Sequence, residues 1–289
     1  MKVQPIFDIA SEHGEGPVWD AEKGHLYWVD LLQGKYHKGD LNNLEIETFS
    51  VGQPLGVLAL RKEGGLVMGV RDGIGFYNEK NRAFQLIEPS PEHDNPKVRF
   101  NDGAIDPKGR FFAGTMEWDG AEDIGKLFRL NLDLSWDLLQ GNIFITNGMG
   151  WNPQQDTYFM IDTMAQVMYA YDYELKTGAI SNRRVHIQFG KDEFPDGMTI
   201  DREGGFWIAL WGGGKIIHLD QKGKLIKEIP VPVSHPTSCC FGGPDLKTLF
   251  ITSSKLPLSE VERQTCPLAG RTFVVQTEVM GQLEPKFNG

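Results

Sequence analysis

The chain of 289 residues contains six similar units that follow one another at intervals of 40 to 49 residues. Each unit combines short, alternating apolar runs with turns rich in Gly, Asp, Asn and Lys, a pattern typical of β-strands joined by tight turns. The units begin at Gly16, Gly56, Gly103, Gly148, Gly197 and Cys239. Four-stranded units at this period are typical of a β-propeller, so the repeat predicts an all-β fold with six blades around a central axis.

The two ends of the chain are predicted to meet in one blade. Residues 3–7 form a strand-like run outside the six units, and we expect it to lie beside the run at 272–275 in the last blade. Pairing the two would complete the last blade and remove an open sheet edge. Since no linker or low-complexity segment divides the sequence, we expect residues 1–289 to form a single domain.

Charge and cysteine content exclude several classes of protein. The formal net charge is −10 and no block of Lys and Arg is present, which argues against nucleic acid or an anionic membrane as a partner. The three cysteines include an adjacent pair, Cys239 and Cys240, and do not suggest a disulfide framework. With no signal peptide or membrane span predicted, we expect a cytoplasmic protein, either a monomer or a weak dimer.

The residues that directly precede the six unit starts are mostly polar. They are Glu15, Leu55, Asp102, Asn147, Asp196 and Ser238. Because the first strand of every blade lines the axis, these side chains are predicted to form a ring in which carboxylates would repel each other unless a cation is bound. Glu15, Asn147 and Asp196 offer hard oxygen ligands, which suit Ca²⁺, Mg²⁺ or Mn²⁺ better than a structural zinc site.

A second group of polar residues belongs to the third unit. Arg99 and Asn101 stand at i and i+2, so on a strand both point to one face, where they could hold a polyhydroxylated or anionic ligand. Glu117 and Asp119 follow the next strand and could join the rim of the site. The alternative is that Arg99 forms a surface salt bridge with a nearby carboxylate.

Together these motifs resemble the senescence marker protein-30/gluconolactonase/luciferin-regenerating-enzyme family, also called regucalcin-like. The resemblance covers nearly the whole chain and depends on the order and spacing of several strings. They include Gly14-Glu15-Gly16-Pro17-Val18-Trp19, Arg99-Phe100-Asn101-Asp102-Gly103, Pro195-Asp196-Gly197-Met198 and Thr237-Ser238-Cys239-Cys240-Phe241-Gly242-Gly243.

The resemblance implies one divalent cation held by Glu15, Asn147 and Asp196. Ca²⁺ is the first expectation, with Zn²⁺, Mn²⁺, Mg²⁺ and Fe²⁺ as alternatives. It further implies that Arg99 and Asn101 contact the substrate and that an acid stands at the rim. Asp119 matches that acid by gapless counting, and Glu117 is a nearby candidate.

The activity implied by the resemblance is the hydrolysis of sugar lactones to aldonic acids, with Asp196 as the catalytic base. One departure bears on the substrate: Gly150 stands where the family usually has an acid. Two alternatives remain open, a metal-dependent phosphotriesterase on the same scaffold and a Ca²⁺-binding regulatory protein without essential catalysis. His13 and His235 lie near the predicted channel ends and could line the pocket.

Overall fold

The structure is a computed structural model that describes residues 2–289, and its regular elements are almost entirely β-strands. The first half of the chain contains β1 Gln4–Ala10, β2 Gly14–Asp20, β3 His25–Asp30, β4 Lys35–Asp40, β5 Ile46–Ser50, β6 Leu55–Leu60, β7 Leu66–Val70, β8 Gly73–Asn78, β9 Ala83–Leu86, β10 Val98–Ile105, β11 Phe111–Glu117, β12 Gly125–Leu130 and β13 Trp136–Ile143. The second half contains β14 Thr146–Trp151, β15 Thr157–Asp162, β16 Val167–Glu174, β17 Ala179–Gln188, β18 Phe194–Ile200, β19 Phe206–Trp211, β20 Lys215–Leu219, β21 Leu225–Pro230, β22 Pro236–Gly242, β23 Thr248–Ser253, α1 Glu260–Thr265 and β24 Arg271–Gln276.

The strands form six antiparallel sheets of four strands each. Five sheets use four consecutive strands, and the sixth has the order β1-β24-β23-β22. The innermost strands, β2, β6, β10, β14, β18 and β22, contact one another in chain order, and β22 also contacts β2, which closes the ring. The predicted six-bladed β-propeller is therefore confirmed, and so is the composite last blade.

The turn after each inner strand shows why the repeat recurs in the sequence. After β10, Asp106 Oδ1 accepts hydrogen bonds from the backbone N–H groups of Lys108, at 2.8 Å, and Arg110, at 2.9 Å. After β18, the corresponding Asp201 accepts from Glu203 and Gly205, at 2.9 and 2.8 Å. An aspartate that satisfies the backbone of its own turn favours a tight connection between two strands.

The two ends of the chain meet as the sequence predicts. Strand β1 pairs with β24, and Gln4 lies opposite Val274. Phe7, on β1, is buried and stacks on Trp28 of the neighbouring blade, with 5.3 Å between the ring centroids. The first and last blades are thus joined by side-chain packing as well as by the chain that runs from β1 to β2.

Replacing Phe7 by Leu is expected to lower the free energy of unfolding by about 1–2 kcal/mol, because the stacked pair is lost and a gap remains beside Trp28. Urea unfolding followed by tryptophan fluorescence measures the change. Phe84→Leu, at a half-buried ring on the outer strand β9, is the matched control and should cost less. An equal loss in both variants would contradict a special role of Phe7 in ring closure.

Two features of the fold are not apparent from the repeat. A short helix, α1, is inserted between β23 and β24 and begins at a capping box formed by Ser259 and Glu262. The C-terminal segment then spans from the sixth blade to the second: Gly281 N–H donates to the Leu246 carbonyl and Phe287 N–H to the Leu60 carbonyl, both at 2.8 Å. Within residues 2–289, the structure shows no helix with the length and apolar character that crossing a membrane requires.

Candidate active site

Every inner strand has an irregular register where the predicted ring lies. The irregularity falls between Glu15 and Val18 in β2, between Asn147 and Met149 in β14, and between Pro195 and Met198 in β18, with equivalents in β6, β10 and β22. Such bulges redirect side chains and interrupt pairing. The polar residues of the ring are therefore freed from the regular alternation of the strand.

The glycines that mark the repeat are required by this geometry. Gly16 has a φ of 49°, a backbone conformation that strains other residues. A Cβ on Gly148 would lie only 2.6 Å from the backbone oxygen of Asp196, because adjacent inner strands approach closely here. A polar residue followed by Gly in the sequence thus marks a position where the backbone is strained for other residues or where adjacent inner strands approach closely.

Two buried or part-buried carboxylates outside the ring hold the segments that lead into it. Asp30 accepts from the backbone N–H groups of Glu12 and His13 at 3.0 and 3.1 Å, two residues before Glu15. Asp162 makes the same contacts in the fourth blade, with residues 144 and 145 at 3.1 and 3.2 Å, just before Asn147. Each aspartate ends the second strand of its blade and fixes where the inner strand starts.

Asn147 and Asp196 are in direct contact. Asn147 Nδ2 donates to Asp196 Oδ1 and, at 3.1 Å, to Thr163 Oγ1. Thr163 Oγ1 in turn donates to the Pro195 carbonyl at 2.8 Å, which ties the fourth blade to the fifth. All three polar side chains are buried, so their positions are set by this network and not by solvent.

Glu15 completes the cluster. The residue is 9% exposed, and its pKa is raised well above its ordinary range, mainly by burial and then by the carboxylate of Asp196. Burial and the carboxylate of Asp102 likewise raise the pKa of Asp196. The site therefore holds two buried carboxyl groups whose charged forms are unfavourable unless a positive charge compensates them.

The donor set fits a hard divalent cation. Glu15 and Asp196 supply carboxylate oxygens, and the Oδ1 of Asn147 accepts only a 3.3 Å hydrogen bond from Gly148 N–H among the described residues. No group of three or more His, Cys, Asp and Glu side chains with metal-binding geometry occurs in residues 2–289. A cation here would thus depend on the amide oxygen of Asn147 and on open positions for water or substrate.

Arg99 and Asn101 lie beside this cluster. Arg99 Nη1 donates to Asn101 Oδ1 at 2.6 Å, and Asn101 Nδ2 donates to the Thr146 carbonyl at 3.0 Å. Arg99 is 7% exposed, and its Nε has no hydrogen-bond partner among the described residues. Burial lowers the pKa of Arg99 to about 10, although Glu15 and Asp196 favour its charged form. The alternative of a surface salt bridge is wrong, because the guanidinium is buried in the site.

The two candidate rim acids differ in their surroundings. Glu117 ends β11, is half-buried, and its Oε2 accepts from the N–H groups of Asp119 and Ala121, at 3.0 and 3.1 Å. Asp119 is exposed on the following turn. Trp118 stands between them, with its ring 5.9 Å from the guanidinium carbon of Arg99. The side chain of Glu117 is thus held in place by hydrogen bonds, whereas Asp119 is exposed to solvent.

Asp102 and Gly150 face a different space. Both line a cavity of about 210 Å³ farther along the inner strands, which is closed in part by residues 282–285. None of Glu15, Asn147, Asp196 and Arg99 lines that cavity. In β10 the bulge falls between Phe100 and Asp102. Alignment on the repeat glycines assigns Asp102 to the ring, but the residue that contacts the fourth blade is Asn101, one position earlier.

The sequence predicts that His13 and His235 could line the pocket but does not identify Ser254 and Trp211, which contact them. His13 Nε2 lies 3.9 Å from Glu15 Oε1, and His13 Nδ1 is hydrogen-bonded to Ser254 Oγ at 2.9 Å. Trp211 contacts the rings of both His13 and His235. His13 stands two residues before Glu15 on an extended chain, which explains why both side chains lie on the same side, whereas no local pattern marks Ser254 or Trp211.

The fold and this cluster define a class of protein: a six-bladed propeller with buried carboxylate, amide and guanidinium groups at one end of its axis. A family model described as the SMP-30/Gluconolactonase/LRE-like region matches residues 13–255, and the chain belongs to that family.

Relatives of known name cover nearly the full length. Regucalcin of Xenopus laevis is 35% identical, over 95% of this chain and 94% of its own length. A 6-deoxy-6-sulfogluconolactonase of Pseudomonas putida is 34% identical, over 96% of this chain and 95% of its own length. The crystal structure of a calcium-binding protein, regucalcin, from Agrobacterium tumefaciens is 26% identical and superimposes with a TM-score of 0.95, covering 99% of this chain and 97% of that one.

Proposed function

We propose that the protein is a divalent-metal-dependent lactonase that opens a sugar lactone to the corresponding aldonic acid. The observation that carries this proposal is the pairing of two buried carboxyl groups, Glu15 and Asp196, with the buried guanidinium of Arg99. The lactonase named among the relatives supports the same reaction class. Cytoplasmic location and a monomeric or weakly dimeric state stay predictions.

In this proposal Asp196 is the base. Its carboxylate removes a proton from the attacking water as the water oxygen bonds to the lactone carbonyl carbon. The bond between that carbon and the ring oxygen then breaks, and Asp196 returns the proton to the ring oxygen, which becomes a hydroxyl group. One water is consumed and one hydroxy acid is formed.

The other residues bind and orient. Glu15, Asn147 and Asp196 would hold the cation, which when bound polarises the lactone carbonyl and stabilises its developing negative charge. Arg99 and Asn101 would bind substrate hydroxyl groups, since the Nε–H of Arg99 is a buried donor that finds no partner within residues 2–289. Glu117 or Asp119 would contact the far end of the substrate.

Metal removal provides the direct test. Protein treated with a chelator and then dialysed is expected to lose lactone hydrolysis, measured as proton release from D-glucono-1,5-lactone. Activity should return with at least one of Ca²⁺, Mg²⁺, Mn²⁺, Zn²⁺ and Fe²⁺. The same cation should raise the melting temperature, since binding at 100 times Kd stabilises a folded protein by about 2.7 kcal/mol.

The same assays, extended to an organophosphate triester, also separate the alternatives. Turnover that survives chelation, with no cation-dependent rise in melting temperature, would overturn the metal assignment. Hydrolysis of an organophosphate triester without hydrolysis of lactones would favour the phosphotriesterase. A rise in melting temperature with Ca²⁺ but no turnover of either substrate would favour the Ca²⁺-binding regulatory protein.

A further inference from the structure

The side of the candidate site formed by the first, fifth and sixth blades carries polar and aromatic groups that the proposed reaction does not use. They are His13, Ser254, Trp211 and His235, which we call the histidine wall. His13 is 8% exposed and Ser254 1% exposed, so neither is a surface residue.

His13 is held rigidly. Its backbone N–H donates to Asp30 Oδ1 at 3.1 Å, and its carbonyl accepts from Leu31 N–H at 3.0 Å. The ring Nδ1 is hydrogen-bonded to Ser254 Oγ at 2.9 Å, and Ser254 Oγ also contacts the Glu12 carbonyl at 3.2 Å. A side chain fixed at both its backbone and its ring is suited to precise recognition.

This anchoring leaves one polar ring atom for the site. Nε2 of His13 has no hydrogen-bond partner among the described residues and lies 3.9 Å from Glu15 Oε1. The proton on the ring depends on which way the Ser254 hydroxyl points, so Nε2 is a donor in one arrangement and an acceptor in the other. A sugar hydroxyl group satisfies both arrangements, because it can donate as well as accept.

Trp211 gives the wall an apolar surface. Its ring meets His13 edge-on, with 5.6 Å between centroids, and meets His235 at 4.8 Å. Trp211 and His235 are both partly exposed, unlike the buried tryptophans of the blades. Aromatic faces pack against the C–H groups of a sugar ring, while a neighbouring polar atom binds its hydroxyls.

We propose that the histidine wall is the specificity-determining surface of the site and selects lactones that carry ring hydroxyl groups. His13 Nε2 binds one hydroxyl, Trp211 covers the C–H face beside it, and Ser254 acts as a positioning residue for His13. This inference rests on the proposed lactonase function, which it refines by naming the residues that recognise the hydroxyls.

The test compares two lactones that differ in hydroxylation. D-Glucono-1,5-lactone has ring hydroxyls, and δ-valerolactone has the same six-membered lactone ring without them. His13→Phe should lower kcat/KM for the gluconolactone about tenfold, mainly through KM, because one hydrogen bond is lost. For δ-valerolactone the change should stay within about twofold, since no hydroxyl is present to lose the contact.

Further variants separate recognition from folding. His13→Gln keeps a polar atom and should recover part of the loss, and Ser254→Ala should reproduce the substrate-selective loss in weaker form. His186→Phe, at a half-buried histidine on the outer strand β17, is the matched control and should change neither substrate. As a readout that does not require hydrolysis of the bound ligand, the dissociation constant of 1,5-anhydro-D-glucitol should rise about tenfold in His13→Phe.

The outcomes distinguish the two proposals. If the wild-type protein hydrolyses neither lactone under any cation, the proposed function fails and this inference fails with it. If the wild type hydrolyses both lactones but His13→Phe lowers both equally, or weakens cation binding, the lactonase stands and the histidine wall is overturned. Selective loss on the hydroxylated lactone alone supports the inference.

Discussion

Asp196→Asn is expected to reduce kcat/KM for lactone hydrolysis by at least about 10³-fold while the protein stays folded. An amide cannot take a proton from water, and it is a weaker cation ligand than a carboxylate. The substitution is nearly isosteric, and its Oδ1 can still accept from Asn147 Nδ2. The loss should therefore appear in the chemical step even at saturating substrate and cation, which steady-state assays over a range of both will measure.

Stability should change in the opposite direction to activity. In the absence of a cation, Asp196 is a buried carboxyl group close to those of Glu15 and Asp102. Replacing it by an amide removes a buried group whose charged form is unfavourable there. We therefore expect the melting temperature of the chelator-treated variant to equal or exceed that of the chelator-treated wild type, a pattern typical of residues kept for function.

Asp102→Asn is the matched control for this prediction. Asp102 shares the aligned position of the ring but lines the cavity farther along the axis, so its loss should reduce activity much less. Near wild-type hydrolysis by Asp196→Asn with the cation present would refute Asp196 as the base. Equal losses in both variants would show that the assay reports the charge of the axis and not the role of Asp196.

The fold could be predicted because its determinants are local and repeated. Asp106 and Asp201 each satisfy the backbone of their own turn, so the turn chemistry is visible in a few consecutive residues. The pairing of β1 with β24 was also predictable, because residues 3–7 lie outside the six units and can complete the sheet of the last blade. Helix α1 interrupts the last unit and the C-terminal segment follows it, so the spacing of the repeat predicts neither of them.

The site was predictable only in part, for a geometric reason. Alignment on the repeat glycines treats every inner strand as equivalent, but the bulge in β10 falls at Asn101, before the aligned Asp102. The contact between His13 and Ser254 could not be predicted, because the two residues are 241 positions apart in the sequence and meet only when the ring closes. Residues brought together by closure leave no local pattern, whereas Glu15, Asn147 and Asp196 share one.

Outside the site, one buried ion pair joins the third and fourth blades. Asp106 has no exposed surface and pairs with Arg110, whose side chain is 7% exposed. Tyr173, on β16, donates to Asp106 Oδ2 at 2.7 Å and accepts from Arg110 Nη2 at 3.0 Å. Arg110 Nη2 also donates to the Leu175 carbonyl at 2.8 Å, so a single guanidinium satisfies acceptors in two blades.

Arg110→Met is therefore expected to lower the free energy of unfolding by about 3–5 kcal/mol, because it leaves the Asp106 carboxylate buried without its partner. Urea unfolding measures the loss, and Arg184→Met is the control, since Arg184 pairs with Asp172 on the surface and should have little effect. Adding Asp106→Asn to Arg110→Met should recover part of the stability, because the uncompensated charge is then gone. A loss of stability no larger than that of Arg184→Met would mean that the Asp106–Arg110 pair does not join the blades. Full lactonase activity of the folded Arg110→Met variant at low temperature would show that the role of Arg110 is confined to stability.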